Sequence, residues 1–275
     1  MQAKTIKGKS TEEIQSALQQ CIAENFNPTL AICFVSKKLN RTAITHLMDV
    51  AGISVFGCTT NGEFTDEVTE KGSAAILLLD MKPEDFTIYF HEFTEPNYRE
   101  AAKQIAQDAK EKFDTPAFLI GLSHYETDGE EILHGLAEVA GEDINVFGGG
   151  AGDDYEFMDN YVFTNGKDAG KAILCMALNE DKVKIKGIAT CGWKAVGTVR
   201  TVTKSEGNHV YMVDDMPVLD LTVKYGGIED VNPENKNLLI ELAANFPLQL
   251  QREKGDPVMR PGLMVDWNDR SYYTS

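Results

Sequence analysis

Residues that could bind a small ligand are concentrated in two short segments of the sequence. Residues 58–63, Cys-Thr-Thr-Asn-Gly-Glu, offer a thiol, two hydroxyls, an amide and a carboxylate. Residues 148–154, Gly-Gly-Gly-Ala-Gly-Asp-Asp, contain glycines that let a ligand approach the backbone or build a nest of N–H groups for an anion. A tight packing turn would also explain them. The adjacent aspartates, the absence of a nearby Lys or Arg in the sequence and the missing P-loop lysine argue against phosphate.

Nucleophilic and metal chemistry have weaker support. Cys58 would need a neighbouring base, and His124 is the candidate. The spacing of the five cysteines, Cys191 included, favours buried, reduced thiols. We therefore predict no catalytic residue and no metal site. The acidic and histidine side chains near the two segments fit no metal-binding motif; they are His124, Glu126, Asp128, Asp153 and Asp154.

The two segments follow almost identical strands. Residues 53–57 read Ile-Ser-Val-Phe-Gly and residues 144–148 read Ile-Asn-Val-Phe-Gly. Each strand is preceded by a capped amphipathic helix, a short buried strand and a second helix. The capping residues are predicted to be Ser10, Asn40, Asn97 and Thr127. An internal repeat is therefore the first feature that the sequence predicts.

The expected fold class is α/β, with two pseudo-symmetric α-β-α-β-β-β repeats that form mixed sheets. Each repeat is expected to close with a hairpin, one pairing residues 73–81 with 85–93 and the other pairing 171–179 with 183–190. The predicted domains are residues 1–95 and 96–213 for the repeats, and residues 214–275 for a partial C-terminal α+β module.

Loops after the strands are expected to form the ligand site, because α/β proteins bind ligands at the carboxyl ends of strands. Four such loops, residues 36–39, 57–63, 123–126 and 148–154, would converge on one cleft between the repeats. Trp193 could line it, although a core position is as plausible, and Arg260 could pair with a carboxylate or lie on the surface. The predicted ligand-binding residues are Cys58, Thr59, Thr60, Asn61, Gly62, Glu63, Ser123, His124, Gly149, Gly150, Asp153, Asp154, Trp193 and Arg260.

The composition of the chain argues against two classes of binding partner, nucleic acid and membrane. The 275 residues carry a net charge of −17, which repels phosphate backbones and anionic lipid. The amino terminus has no apolar signal region, and no apolar run is long enough to span a bilayer. We expect a cytoplasmic protein that binds neither nucleic acid nor membrane.

Several of these segments resemble the FIST domain family. Residues 55–63 and 147–154 resemble its glycine-containing loops, and further matches follow in the family's order over roughly residues 25–270. They include Gly192-Trp193, residues 202–208, residues 216–218, Phe246-Pro247-Leu248 and Met259-Arg260-Pro261. The last two resemble the start of the family's C-terminal module, which is expected to be incomplete here, with no output domain attached.

The resemblance implies an intracellular sensory input module of bacterial signalling, which binds a small ligand such as an amino acid and acts through a separate output partner. No cofactor is predicted. Because some relatives bind haem, a haem-binding gas sensor stays open as a function, although no histidine stands out as an axial ligand. An enzyme that uses Cys58 or an acidic cluster, and a protein-interaction scaffold, stay open as well.

Overall fold

The chain divides into two compact units, Met1–Ile188 and Ala189–Ser275. The structure is a computed structural model that describes residues 1–66, 68–154, 156, 158–188, 192–235, 237–252 and 257–274. The domain boundaries that the sequence predicts at residues 95–96 and 213–214 stay predictions. Cys191 lies outside the described residues.

The first unit contains four helices and twelve strands among its described residues, with a short 3₁₀ turn at Pro83–Asp85. The helices are α1 (Thr11–Ala23), α2 (Arg41–Val50), α3 (Tyr98–Lys112) and α4 (Gly129–Ala140). The strands are β1 (Ala3–Gly8), β2 (Leu30–Val35), β3 (Ser54–Thr59), β4 (Glu63–Phe64), β5 (Thr69–Glu70), β6 (Ala74–Leu79), β7 (Phe86–Glu92), β8 (Pro116–Leu122), β9 (Val146–Gly150), β10 (Val162–Thr164), β11 (Lys167–Ala169) and β12 (Ala172–Asn179).

Two mixed sheets form the centre of this unit. The first has the strand order β1-β6-β2-β3-β10-β11 and the second has the order β7-β12-β8-β9. In each sheet one pair is parallel, β2 with β3 and β8 with β9, and every other pair is antiparallel. The first four strands of the two sheets therefore have the same order and the same directions. The short strands β4 and β5 pair only with each other.

The sheets pack face to face, and each carries two helices on its outer face. The central strands are apolar on both faces, and successive side chains of a strand point to opposite faces, so each strand packs on both sides. Leu174 and Met176 of β12 enter the core between the sheets, whereas Ile173 and Cys175 pack against α3 and α4. In the first sheet, Leu30 faces the same inter-sheet core. The result is a four-layer helix–sheet–sheet–helix unit.

The two predicted hairpins are wrong. Strand β6 pairs with β1 and β2, and β7 pairs with β12 in the other sheet. Residues 183–188 form no strand, and residues 189–190 of the second predicted hairpin lie outside the described residues. Strand β1, whose side chains alternate between buried and exposed, was not predicted. With β1 present, β6 gains a neighbour on each side, and the turn at Pro83–Asp85 carries the chain between sheets. From β1 to β6, and again from β7 to β12, the chain therefore runs β-α-β-α-β-β when the short strands β4, β5, β10 and β11 are left aside.

Local capping explains where the helices begin. The Ser10 hydroxyl accepts a hydrogen bond from Glu13 N at 3.2 Å, and Asn40 Oδ1 accepts one from Ala43 N at 3.1 Å. Asn97 occupies the cap position of α3 without a side-chain capping bond. At α4 the cap is Asp128 instead of the predicted Thr127, whose hydroxyl donates to the Ser123 carbonyl.

The second unit is built around one antiparallel sheet with its own core. The sheet has the order β13-β14-β19-β18, with β15 attached to β14, and its core includes Leu219, Leu242 and Tyr272. The elements are β13 (Val202–Glu206), β14 (His209–Val213), β15 (Met216–Pro217), α5 (Val218–Gly226), α6 (Leu238–Ile240) with a π turn at Glu241–Asn245, β16 (Leu248–Leu250), β17 (Val258–Arg260), β18 (Gly262–Asp266) and β19 (Ser271–Thr274).

None of the helices in the described parts of the chain is both long and apolar enough to cross a lipid bilayer.

Candidate functional site

The loops that follow β2, β3, β8 and β9 meet at one edge of the first unit. The parallel pairs β2–β3 and β8–β9 bring the carboxyl ends of their strands to the same side of each sheet. The loop after β9 then joins the two sheets: Ala151 N donates to the Leu122 carbonyl and Gly152 N donates to the Thr59 carbonyl, both at 2.7 Å. We call this assembly the four-loop cluster, made of residues 36–38, 59–63, 123–127 and 150–154 with residues 156 and 158–161.

Short hydrogen bonds hold the β3 loop against the β9 loop. Asn61 Oδ1 accepts a bond from Asp153 N at 2.8 Å, and the Thr60 carbonyl accepts one from Asp154 N at 3.3 Å. A Cβ atom on Gly152 would lie 2.6 Å from Asn61 Oδ1, so only glycine allows this approach. The two polar segments that the sequence indicated, residues 58–63 and 148–154, are therefore in direct contact through hydrogen bonds.

Three of the predicted ligand-binding residues brace the cluster from inside. Glu63 is 2 % exposed; its carboxylate accepts bonds from the Thr60 hydroxyl at 2.6 Å and from Ser73 N and Oγ at 3.0 and 2.9 Å. Thr59 Oγ1 accepts a bond from Tyr161 N at 2.8 Å. These groups already have hydrogen-bond partners within the protein, as buried polar groups generally do.

Asp153 is a fully buried, strongly anchored carboxylate. Its Oδ2 accepts bonds from Met158 N at 2.7 Å and Asp159 N at 3.1 Å, and Lys37 Nζ lies 3.9 Å away. Burial and then the hydrogen bond to Asp153 raise the pKa of Tyr125.

Lys37 is held charged by the acidic groups around it. Burial alone would lower the pKa of Lys37. The hydrogen bond to Glu156, 2.5 Å long, and the charges of Asp153, Glu156 and Asp159 outweigh that effect and raise it.

Asp154 differs from its neighbour because half of its carboxylate is buried without a partner. Its φ of +62° lies in the left-handed region, which aspartate tolerates better than most residues. The side chain is 7 % exposed; Oδ2 lies 3.4 Å from the Ser36 hydroxyl and 3.6 Å from Lys38 Nζ. Oδ1 has no hydrogen-bond partner among the described residues.

Cys58 and His124 share no hydrogen bond among the residues that the structure describes. Cys58 packs in the core between the sheets, and burial raises the pKa of its thiol to about 12. His124 N donates to Asn160 Oδ1 at 2.6 Å and His124 Nδ1 accepts from Glu126 N at 3.3 Å. Ser123 is also committed, since its hydroxyl donates to the Ala169 carbonyl at 3.0 Å and accepts from Ala172 N at 2.9 Å. This geometry gives no support to a nucleophilic Cys58.

Of the remaining predicted site residues, the glycines lie in or beside the four-loop cluster and two others belong to the second unit. Gly149 and Gly150 are exposed on β9, with no atom within 4 Å of an added Cβ, and Gly62 has φ +144°. Trp193 and Arg260 belong to the second unit, where Trp193 donates its indole N–H to the Ala244 carbonyl at 3.0 Å and Arg260 lies in β17.

Several residues of the cluster were not predicted from the sequence. The loop of residues 36–39 was predicted to reach the cleft, but the sequence did not indicate that its lysines, Lys37 and Lys38, would approach Asp153 and Asp154. The sequence placed these residues only by loop: Ser36 and Ser123 each follow a buried strand directly, and Lys37, Lys38 and Tyr125 lie beside them in two of the four predicted loops.

The described geometry defines an α/β protein with two facing mixed sheets and a polar loop cluster at the carboxyl ends of its parallel strands. The family model described as the FIST N domain matches residues 29–216, about two thirds of the chain. The protein therefore belongs to the FIST family, a family of sensor-type domains of signal transduction. A search of curated proteins finds no match.

Proposed function

We propose that this protein is a cytoplasmic sensory domain that binds a small ligand with an ammonium group, such as an amino acid, at the four-loop cluster. It would pass the resulting change to a separate output protein. The proposal rests on the family, on the meeting of all four strand-end loops, and above all on the unpartnered Oδ1 of Asp154.

A buried carboxylate oxygen without a partner is unfavourable, since leaving a polar group unsatisfied costs about 1–3 kcal/mol and more when the group is charged. A ligand ammonium that donates to Asp154 Oδ1 would remove that cost and form a charge-assisted hydrogen bond. A ligand that donates a hydrogen bond to Asp154 Oδ1 would therefore gain affinity by relieving this cost.

Lys38 lies beside the other oxygen of the same carboxylate. Its side chain is 63 % exposed, and its ammonium lies 3.6 Å from the other oxygen of Asp154, a distance too long for a strong hydrogen bond. A flexible surface lysine moves at little free-energy cost. The carboxylate of an amino-acid ligand would then be taken by Lys38 or by outward N–H groups of β9, the edge strand of its sheet.

Binding at this position would affect both sheets. The segment 151–154 is bonded to Leu122 of the second sheet and to Thr59 and Thr60 of the first. A ligand that prefers one arrangement of this segment would shift the population of the arrangements by its differential affinity.

A thermal-shift screen of the full chain against the common amino acids tests the proposal. A ligand at one hundred times its Kd should add about 2.7 kcal/mol of stability. The D154N variant keeps the shape and tolerates the positive φ, but it should lose the response. The D159N variant, which removes an exposed charge from the same loop, should respond like the native chain.

Two results would count against the proposal. One is the absence of any shift with every amino acid tested. The other is an equal shift in native chain, D154N and D159N, which would place the ligand elsewhere on the molecule.

A further inference from the structure

A second group of potential ligand atoms lies in the second unit, far along the chain from the four-loop cluster. One atom each from His209, Asp266 and Asp269 lies within 4.8 Å of the others. His209 is on β14, Asp266 ends β18, and Asp269 lies in the turn between β18 and β19. Two separate parts of the chain, β14 and the end of β18 with the turn after it, therefore contribute the three donors.

The strand register explains why these side chains share a face. His209 pairs with Tyr273, and Asp266 pairs with Ser271. The intervening residues Val210, Tyr272 and Val265 point to the other face and pack in the core of the unit. His209, Ser271 and Asp266 consequently lie on the sheet face opposite that core.

The imidazole is held in place and keeps one nitrogen available. His209 is 6 % exposed, and its ring lies between those of Tyr211 and Tyr273, with centroids 4.0 and 3.9 Å away. His209 Nε2 is 2.6 Å from the Ser271 hydroxyl, which itself donates to Asp269 Oδ1. Ser271 therefore accepts from Nε2–H, and the lone pair falls on Nδ1. A ligating histidine is commonly oriented by such a partner on its other nitrogen.

Both carboxylates also retain an unused oxygen. Asp266 Oδ1 accepts from Asn268 N and Nδ2 at 2.9 and 3.0 Å, while Asp269 Oδ1 accepts from Ser271. Among the described residues no hydrogen bond reaches either Oδ2, and no Lys or Arg forms an ion pair with Asp266 or Asp269. Two converging negative charges therefore lack a cation, and only an added positive charge would relieve their repulsion.

We propose that His209, Asp266 and Asp269 bind a divalent transition-metal ion such as Zn²⁺. Imidazole nitrogen with carboxylate oxygen suits Zn²⁺ better than Mg²⁺, which prefers oxygen alone. Zinc bonds of about 2.0–2.2 Å place neighbouring ligands roughly 3.3–3.6 Å apart. Small shifts of the Asp266 and Asp269 side chains would close the present spacing, with Asp269 binding through Oδ2 while Oδ1 keeps its bonds to Ser271. A solvent molecule would complete the tetrahedron.

The bound ion would join β14 to the β18–β19 turn. These segments are separated in sequence, so the ion would close a long loop and stabilise the second unit. This inference does not depend on the four-loop cluster or on the sensory function proposed for it.

The test uses tag-free full-length chain after treatment with EDTA, titrated with ZnCl₂ by calorimetry. We expect one ion per chain and a higher Tm. The D269N variant changes an exposed residue and should fold, and its Kd should be weaker by about tenfold or more. The D215N variant removes the charge of another exposed aspartate in the same unit and should leave Kd unchanged. MgCl₂ at the same concentration should bind far more weakly.

A spectroscopic measurement separates a built site from general attraction to an acidic surface. Co²⁺ should give the visible absorption of a low-coordinate site with a nitrogen ligand in native chain and in D215N, but not in D269N. Absence of zinc binding, or equal affinity in native chain, D269N and D215N, would overturn the proposal.

Discussion

Burial of the Cys58 thiol makes the stability of the fold depend on pH. The Cys58 side chain lies between the two sheets, and burial raises the pKa of the thiol to about 12. Burial raises the pKa of Cys33 and of Cys175 in the same way. The folded chain therefore keeps these protons at a pH where the unfolded chain, with a thiol pKa near 8.5, loses them. Their stabilising effect is complete below about pH 8.5 and declines as pH rises towards 12.

Replacing Cys58 by Ala should flatten the loss of stability in alkaline solution. Each such thiol contributes at most about 1.4 kcal/mol of unfolding free energy per pH unit, because the unfolded state alone ionises. Urea unfolding at about pH 8, 9 and 10 measures the slopes. Lysines and tyrosines titrate in both chains, so their effect cancels in the comparison. Parallel slopes for native chain and C58A would show that Cys58 ionises as readily in the folded state.

At the residue level the sequence indicated the loops but not the partners within them. Asn61, Asp153 and Asp154 are recognisable because they follow strands beside glycines. Lys38 could not be linked to Asp154 from the sequence, because that contact depends on how the loops after β2 and β9 meet in space. For the same reason the sequence did not indicate that Ser73, ten residues away, donates two hydrogen bonds to one oxygen of Glu63, a predicted ligand-binding residue.

Strand β9 combines two kinds of glycine in adjacent positions. Gly148 has φ +141°, and an added Cβ would lie 1.9 Å from the carbonyl oxygen of Ile120 on β8. Gly149 has ordinary backbone angles, and no atom lies within 4 Å of its added Cβ. The same strand therefore contains one glycine that the fold requires and one that it merely tolerates.

The substitution G148A should destabilise the first unit by about 3 kcal/mol or more, because strain and overpacking add. The substitution G149A should change stability by less than about 1 kcal/mol. Urea denaturation of both variants beside the native chain measures the difference. Equal losses in the two variants would contradict the close contact between β9 and β8.

The elements themselves were more predictable than their pairing. Strand β2 was predicted as a short strand after the first helix, because its six residues form an apolar run that ends before polar residues. The capped starts of α1 and α2 were also found, since capping is a local interaction. The pairing of β7 with β12 joins residues far apart in the chain, and a nearby turn favoured the wrong hairpin. The prediction of an internal repeat remains a prediction, although both sheets share one strand order.

The division into two compact units has consequences for the whole chain. Three apolar cores lie entirely within Met1–Ile188, and a fourth lies in Ala189–Ser275. Residues 192–199 are exposed and contain neither helix nor strand, with Val196 97 % exposed. Exposed, irregular segments are the usual sites of first proteolytic cleavage.

Brief treatment with trypsin should therefore cut first after Lys194. The lysines of α3, such as Lys103 and Lys112, should be cut much later because a protease needs an extended backbone. Mass spectrometry over time identifies the order of cleavage. The fragment of residues 1–194 should then unfold in a single cooperative transition, since it retains its three cores. A first cut within α3 or a central strand would contradict this division.

The β10–β11 hairpin joins the edge of the first sheet, although it follows β9 of the second sheet in sequence. Strand β7, in turn, belongs to the second sheet, although it follows β6 of the first sheet in sequence. The chain on each side of residue 95 therefore contributes strands to both sheets, and dividing it near residue 95 would give two fragments that depend on each other. Each would leave the other's sheet incomplete, so mixed fragments should reconstitute the unit whereas either fragment alone would stay poorly structured.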